Sequence, residues 1–147
     1  MQVSGSTTIK APREKVWSYL TNPDFVAKCA PGFESMEVVE ENKKYKGVGS
    51  VGLGSLKVRV SGDVEFVTME APTRAVIKGR GTAPGSVVEG TAEMILRDGQ
   101  SGSTIMDWKA DVIVLGTIAS LAARMMNSLT QKLGGQFFDC VKKQIES

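Results

Sequence analysis

The sequence predicts an α+β two-layer fold: a curved antiparallel sheet gripping a long C-terminal helix, with two short helices after the first strand. Three observations carry this prediction. Between Phe33 and Leu115 apolar residues recur with period two, the signature of half-buried strands. After Gly116-Thr117 the period becomes helical and stays so for about 28 residues. The strands follow one another through turn signals, without intervening helices, so the sheet is antiparallel and one face remains for the helix. The 147 residues form a single domain over 1–147, and a composition of 41% hydrophobic and 23% charged residues suits a chain that buries a core.

Taken in order, Val3–Ile9 is a short strand. Pro12 suits a first helical turn, Glu14 complements the positive helix end, and Val16, Trp17 and Leu20 fall at helical spacing, giving a helix over Pro12–Leu20. Asn22-Pro23-Asp24 breaks it, and Phe25–Ala30 forms one more helical turn before Ala30-Pro31-Gly32 starts an extended stretch. A meander of about six strands follows. Its clearest member is Leu56–Phe66, with Leu56, Val58, Val60, Gly62, Val64 and Phe66 on one face and Lys57, Arg59, Ser61, Asp63 and Glu65 on the other. Ala71-Pro72-Thr73 is a turn, and Arg97–Ser103 is a hairpin loop. Thr117 is the expected N-cap of the long helix, which Gly134-Gly135 interrupts, marking a kink, a close backbone approach or a tolerated defect.

Composition excludes several function classes. There is no histidine, which removes His-based nucleophilic sites, general bases and metal ligands. The two cysteines, Cys29 and Cys140, are too few and too far apart for a zinc cage. Two free thiols in a reducing compartment are the expectation, with a single bridge as the alternative. A net charge of +2 is too balanced for a nucleic-acid binder. Val112–Ala123 is too short an apolar run to span a bilayer, and no targeting signal is visible. The expected protein is therefore soluble and cytoplasmic, without metal or cofactor.

The inward strand positions suggest a site. Tyr45, Gly47, Gly49, Val51 and Leu53 share one face, joined by Gly62, Ala75, Gly79, Gly90, Ala92 and Ala110. Many are glycine or alanine, and interiors tolerate few voids. Either the long helix fills the space, or an apolar ligand does; a strongly bent but solid sheet is the competing account. The inward positions carry no carboxylate, lysine or arginine, so no acid–base pair and no catalytic residue is assigned there. The candidate ligand-lining residues are Phe25, Tyr45, Val51, Trp108, Leu121, Met125, Leu129 and Phe137. The run Gly47-Val48-Gly49-Ser50-Val51-Gly52 matches G-x-G-x-x-G, but alternation rather than a helix follows it, so a glycine-rich strand and hairpin is the better account. Phe138 either marks a contact surface beside Lys142 and Lys143 or covers the first strand.

Phe25-Val26-Ala27-Lys28-Cys29-Ala30-Pro31-Gly32-Phe33-Glu34-Ser35 resembles the G-subunit family of carbon monoxide dehydrogenase. The resemblance continues through Val51-Gly52-Leu53-Gly54, Ala71-Pro72-Thr73-Arg74, Gly79-Arg80-Gly81, Trp108-Lys109-Ala110-Asp111-Val112 and Phe137-Phe138. It implies the START-like, helix-grip (SRPBCC) fold, with seven antiparallel strands around an apolar cavity. It further implies a non-catalytic accessory role beside a molybdenum-containing hydroxylase of the carbon monoxide dehydrogenase type, with an apolar lipid- or quinone-like ligand. Hydroxylase subunits or a maturation ATPase are the implied protein partners, and peripheral contact with the inner membrane face is allowed. An assembly factor acting through its surface is the alternative, and a cyclase- or dehydratase-type enzyme the third reading.

Overall fold

A computed structural model describes residues 1–146. In chain order the elements are β1 (Gln2–Ile9), α1 (Arg13–Leu20), α2 (Pro23–Cys29), β2 (Phe33–Glu40), β3 (Lys44–Leu53), β4 (Leu56–Glu70), β5 (Arg74–Ala83), β6 (Ser86–Asp98), β7 (Thr104–Gly116) and α3 (Ala119–Ile145). The seven strands form one sheet in the order β1-β7-β6-β5-β4-β3-β2. All neighbours are antiparallel. Hairpins join β2 through β7, and α1 and α2 carry the chain from one edge strand to the other. This is the α+β architecture expected from the alternation.

Two local expectations change. Asn22-Pro23-Asp24 ends α1 but also starts α2: the Asn22 side chain accepts hydrogen bonds from the Asp24 and Phe25 amides, and Pro23 occupies the first helical position. Thr117 does not cap α3. Its hydroxyl donates to the Gly85 carbonyl, while the Ser86 hydroxyl, at the start of β6, accepts from the Ile118 amide. The helix start is thus satisfied by a distant strand, not by its own flank. Beyond it, α3 runs 27 residues without a break at Gly134-Gly135.

Two glycines are required by the backbone. Gly116, at φ 99°, turns β7 towards α3, and a Cβ there would run into the Gly85 carbonyl oxygen. Gly32, at φ 77°, leads from α2 into β2, and its carbonyl accepts from the Ser50 amide at 2.9 Å. A Cβ at Gly32 would run into the Ser50 carbonyl oxygen. Gly32→Ala is therefore expected to cost ~2–4 kcal/mol, from left-handed strain plus the clash, read as a lowered midpoint in urea unfolding. A midpoint unchanged within error would show that the α2–β2 joint has other conformations open to it.

The solid core occupies one end of the molecule. Ile9, Val16, Leu96, Val141 and Ile145 are essentially inaccessible there, joined by Ala11, Leu20, Cys29 and Met106. Thr104 is buried among them, and its hydroxyl donates to the Ala11 carbonyl at 2.8 Å. Cys29 and Cys140 are bonded to each other, joining α2 to α3 across a sequence separation of 111. This overturns the expectation of two free thiols. The helices bring their Cα atoms to 5.5 Å, a separation typical of a bridge.

Candidate functional site

Strand register defines the face turned towards α3. Leu96 pairs with Met106, and steps of two give Met94 with Trp108, Ala92 with Ala110, Gly90 with Val112, and Val88 with Val114. The same rows continue through Ala75, Ile77, Gly79 and Gly81 on β5. They pass to Met69, Phe66, Val64 and Gly62 on β4, and then to Tyr45 and Gly47 on β3. Apart from Asp98 at the end of β6, which pairs with Arg13 of α1, the charged residues of these strands fall on the other face, as the alternation requires. There they form cross-strand ion pairs, such as Arg74 with Glu93 at 2.6 Å and Arg97 with Asp107 at 2.7 Å. The hydrogen bond from Arg74 holds the Glu93 carboxyl below its ordinary range. Those from Arg97 and then Ser6 do the same for Asp107. Such exposed pairs contribute little to stability, but they keep charge off the inner face.

Coverage of that inner face is uneven. Near α1 and α2 it is sealed, whereas the middle rows, including Ile77, Gly79, Gly90, Ala92, Ala110 and Val112, are only half-buried. Towards the β2 edge, Val38, Val64 and Met69 are 51%, 41% and 43% exposed. On α3 the facing residues Leu121, Met125, Leu129, Leu133 and Gly134 are likewise half-buried. A residue sealed between two packed layers would be far less accessible.

The glycines separate two explanations for the small side chains. Gly62 and Gly81 are crowded within the sheet: a Cβ would lie 2.7 Å from the Arg80 carbonyl oxygen and 2.8 Å from Val60 Cγ1, respectively. Gly5 is crowded by the Trp108 indole, also at 2.8 Å. Gly47, Gly79 and Gly90 differ, since a Cβ on any of them would meet, within 4 Å, only atoms of the adjoining strands and none of α3. At Gly134 and Gly135 a Cβ would meet nothing within 4 Å beyond the helix itself. A close helix–sheet approach, one of the meanings open for the Gly-Gly pair, is therefore ruled out. Gly134 borders open space, and the mid-sheet glycines lie out of contact with α3.

The eight candidate lining residues fall into two groups. Phe25, Trp108 and Phe137 pack against the buried cluster at the α1–α2 end. Tyr45 is buried with its ring edge-on to Phe66, centroids 6.3 Å apart. Val51, Leu121, Met125 and Leu129 are the half-buried members, the last three on successive turns of one α3 stripe. Sequence reasoning overlooked the exposure of Val38, Val64 and Met69 and the openness at Gly134, because alternation reports which way a residue points and not what lies opposite. Phe138 settles over the sheet: its ring lies 6.5 Å from that of Trp108, which itself covers Gly5 of β1. Gly47–Gly52 lies wholly within β3, as a glycine-rich strand. Two open depressions, of about 630 and 500 Å³, lie at the β2–β3 end of the sheet, the first lined by Gly47 and Gly62 together with Glu37, Lys46, Asp63 and Arg80, the second by Glu34, Lys57 and Arg59 among others. No helix of the described residues is long and apolar enough to cross a membrane.

Comparison with known proteins agrees with this geometry. A conserved protein from Geobacillus kaustophilus superposes with a TM-score of 0.91 at 25% identity, over 99% of this chain and 95% of the other. The Zhui aromatase/cyclase from Streptomyces sp. R1128 gives 0.72 at 19% identity, covering 99% and 93%. TTHA0849 from Thermus thermophilus gives 0.69 at 16%, covering 99% and 97%. The likeness to the aromatase/cyclase is one of fold alone. No curated protein matches the chain. The family model for the G-subunit of carbon monoxide dehydrogenase (CoxG) matches residues 5–146, nearly the whole chain. The chain belongs to the CoxG family, the G-subunit family of carbon monoxide dehydrogenase.

Proposed function

We propose that this protein is a non-catalytic carrier that holds an apolar, lipid- or quinone-like molecule between α3 and the middle of the sheet, in the service of a molybdenum hydroxylase of the carbon monoxide dehydrogenase type. One observation carries the ligand: two apolar surfaces face each other and both stay half-exposed, with open space at Gly134. Covering them with a guest would remove apolar area from water, at roughly 25 cal/mol per Å². The polar groups among the candidate lining residues are few, the Tyr45 hydroxyl and the Trp108 indole N–H, and each suits orienting a ligand oxygen rather than moving a proton. Family membership supports the hydroxylase association. An assembly role through a free aromatic surface loses its anchor, since Phe138 packs against Trp108.

Native mass spectrometry of protein purified without detergent tests the carrier. The expected spectrum shows a non-covalent adduct of lipid or quinone mass, lost on organic extraction and restored by adding back the extract. Protein that is ligand-free as purified and takes up neither a fatty acid nor a short-chain quinone in titration would overturn it.

A further inference from the structure

We infer that β1 is a docking edge for a second copy of this chain, so that two molecules join their sheets about a two-fold axis through antiparallel β1 strands. β1 and β2 are the two edges of the sheet. An edge strand presents unpaired backbone groups and is ordinarily protected by charge, bulges or cover. β2 carries such protection: Glu34, Glu37 and Glu40 stand along it, and its register with β3 shifts twice. β1 carries neither device. It keeps register with β7 through all 8 of its residues and has no charged side chain. The backbone of Met1 exchanges both its hydrogen bonds with Val112 of β7. By alternation Val3, Gly5, Thr7 and Ile9 also face β7, while Gln2, Ser4, Ser6 and Thr8 point their amides and carbonyls away from the sheet. Those four residues are exposed. The next outward amide, that of Lys10, donates to the Glu146 carboxylate at 2.9 Å, so the fold closes the edge at that point and leaves the stretch before it open.

The edge suits its own copy. Antiparallel pairing about an axis through Gly5 sets Ser4 against Ser6, and Gln2 against Thr8, of the second copy, and lets all four residues make both of their outward backbone bonds. Gly5 has no side chain to obstruct the axis, where opposed Cα atoms outside the hydrogen-bonded pairs come closest. No like charges meet along Gln2–Thr8, whereas self-pairing of β2 about Glu37 would set Glu34 against Glu40. A two-fold seam is also closed, since it leaves no free β1 edge for a third copy. β2 lies at the far side of the sheet, so Val38, Val64 and Met69 stay exposed and each copy keeps access to its own apolar face.

Sedimentation equilibrium of the full chain, from micromolar to near-millimolar concentration, tests the seam. A monomer–dimer equilibrium is expected with Kd on the order of 10–100 µM, because one pair of strands is smaller than a standard interface. In the Ser4→Lys, Ser6→Lys variant lysines oppose lysines across the axis, and Kd should rise about tenfold. In the Ser4→Glu, Ser6→Lys variant the same positions set glutamate against lysine, and the dimer should hold at least as tightly as the wild type. Within one molecule the new glutamate lies beside Lys109 and the new lysine beside Asp107, which favours the sheet as it stands. Circular dichroism verifies the fold of each variant; should the lysine variant not fold, the glutamate–lysine variant decides. A chain that is monomeric throughout would overturn the docking edge. So would a dimer that the lysine variant leaves as tight as before, or one that the folded glutamate–lysine variant loses.

Discussion

Gly134→Leu is expected to strengthen the fold while weakening ligand uptake. An interior helical glycine costs ~1 kcal/mol relative to a good helix former. For a chain of this length that gain raises Tm by roughly 2–4 °C. The new side chain meets no obstacle, because a Cβ at Gly134 has nothing within 4 Å beyond its helix. Its remaining carbons would project into the space proposed for the guest, so affinity for a fatty acid should fall about tenfold or more. Stability and binding moving in opposite directions is the diagnostic outcome, since a generally damaging substitution lowers both. Thermal unfolding and equilibrium titration of the same preparation suffice. A higher Tm with unaltered binding would place the guest elsewhere, and a lower Tm would mean that α3 lies tighter on the sheet than its exposure indicates.

Loss of the Cys29–Cys140 bridge should be the costliest change to stability. The bond closes a loop with a separation of 111 residues, for which chain entropy gives about 4–5 kcal/mol, with native disulfides commonly worth roughly 2–5. The Cys29→Ser, Cys140→Ser double variant should then melt roughly 10 °C lower. Reduced wild-type protein should melt at nearly the same temperature as the variant, which separates the cross-link from the chemistry of serine. A fall of only about 1–2 °C in both would mean that the α2–α3 contact is maintained by packing.

Much of the sheet was legible because alternation is a local signal that burial enforces. Leu56–Phe66 is read correctly as inward and outward sets, and the loop expected over Arg97–Ser103 is found, though Arg97 and Asp98 still pair within β6. The misreadings involve interactions between distant parts of the chain. Thr117 is a plausible cap until Ser86, on another strand, turns out to be nearer the helix start. Asn22-Pro23-Asp24 carries a breaker and a helix-start signal together, and only packing decides between them. The pairing of Cys29 with Cys140 depends on α2 lying against α3, which no spacing encodes. At the site, direction could be read and distance could not. Gly62 and Gly134 are both plain glycines in the sequence, yet one is small because of its neighbours in the sheet and the other borders open space.

The concentration of inaccessible residues at one end of the molecule, around Ile9, Leu96, Val141 and Ile145, bears on how such a protein diversifies. Substitutions along the opposite stretch of α3 and the facing strands disturb little that folding depends on. The guest proposed for that space could therefore change by drift at a handful of positions, while the distant keel keeps the hull intact.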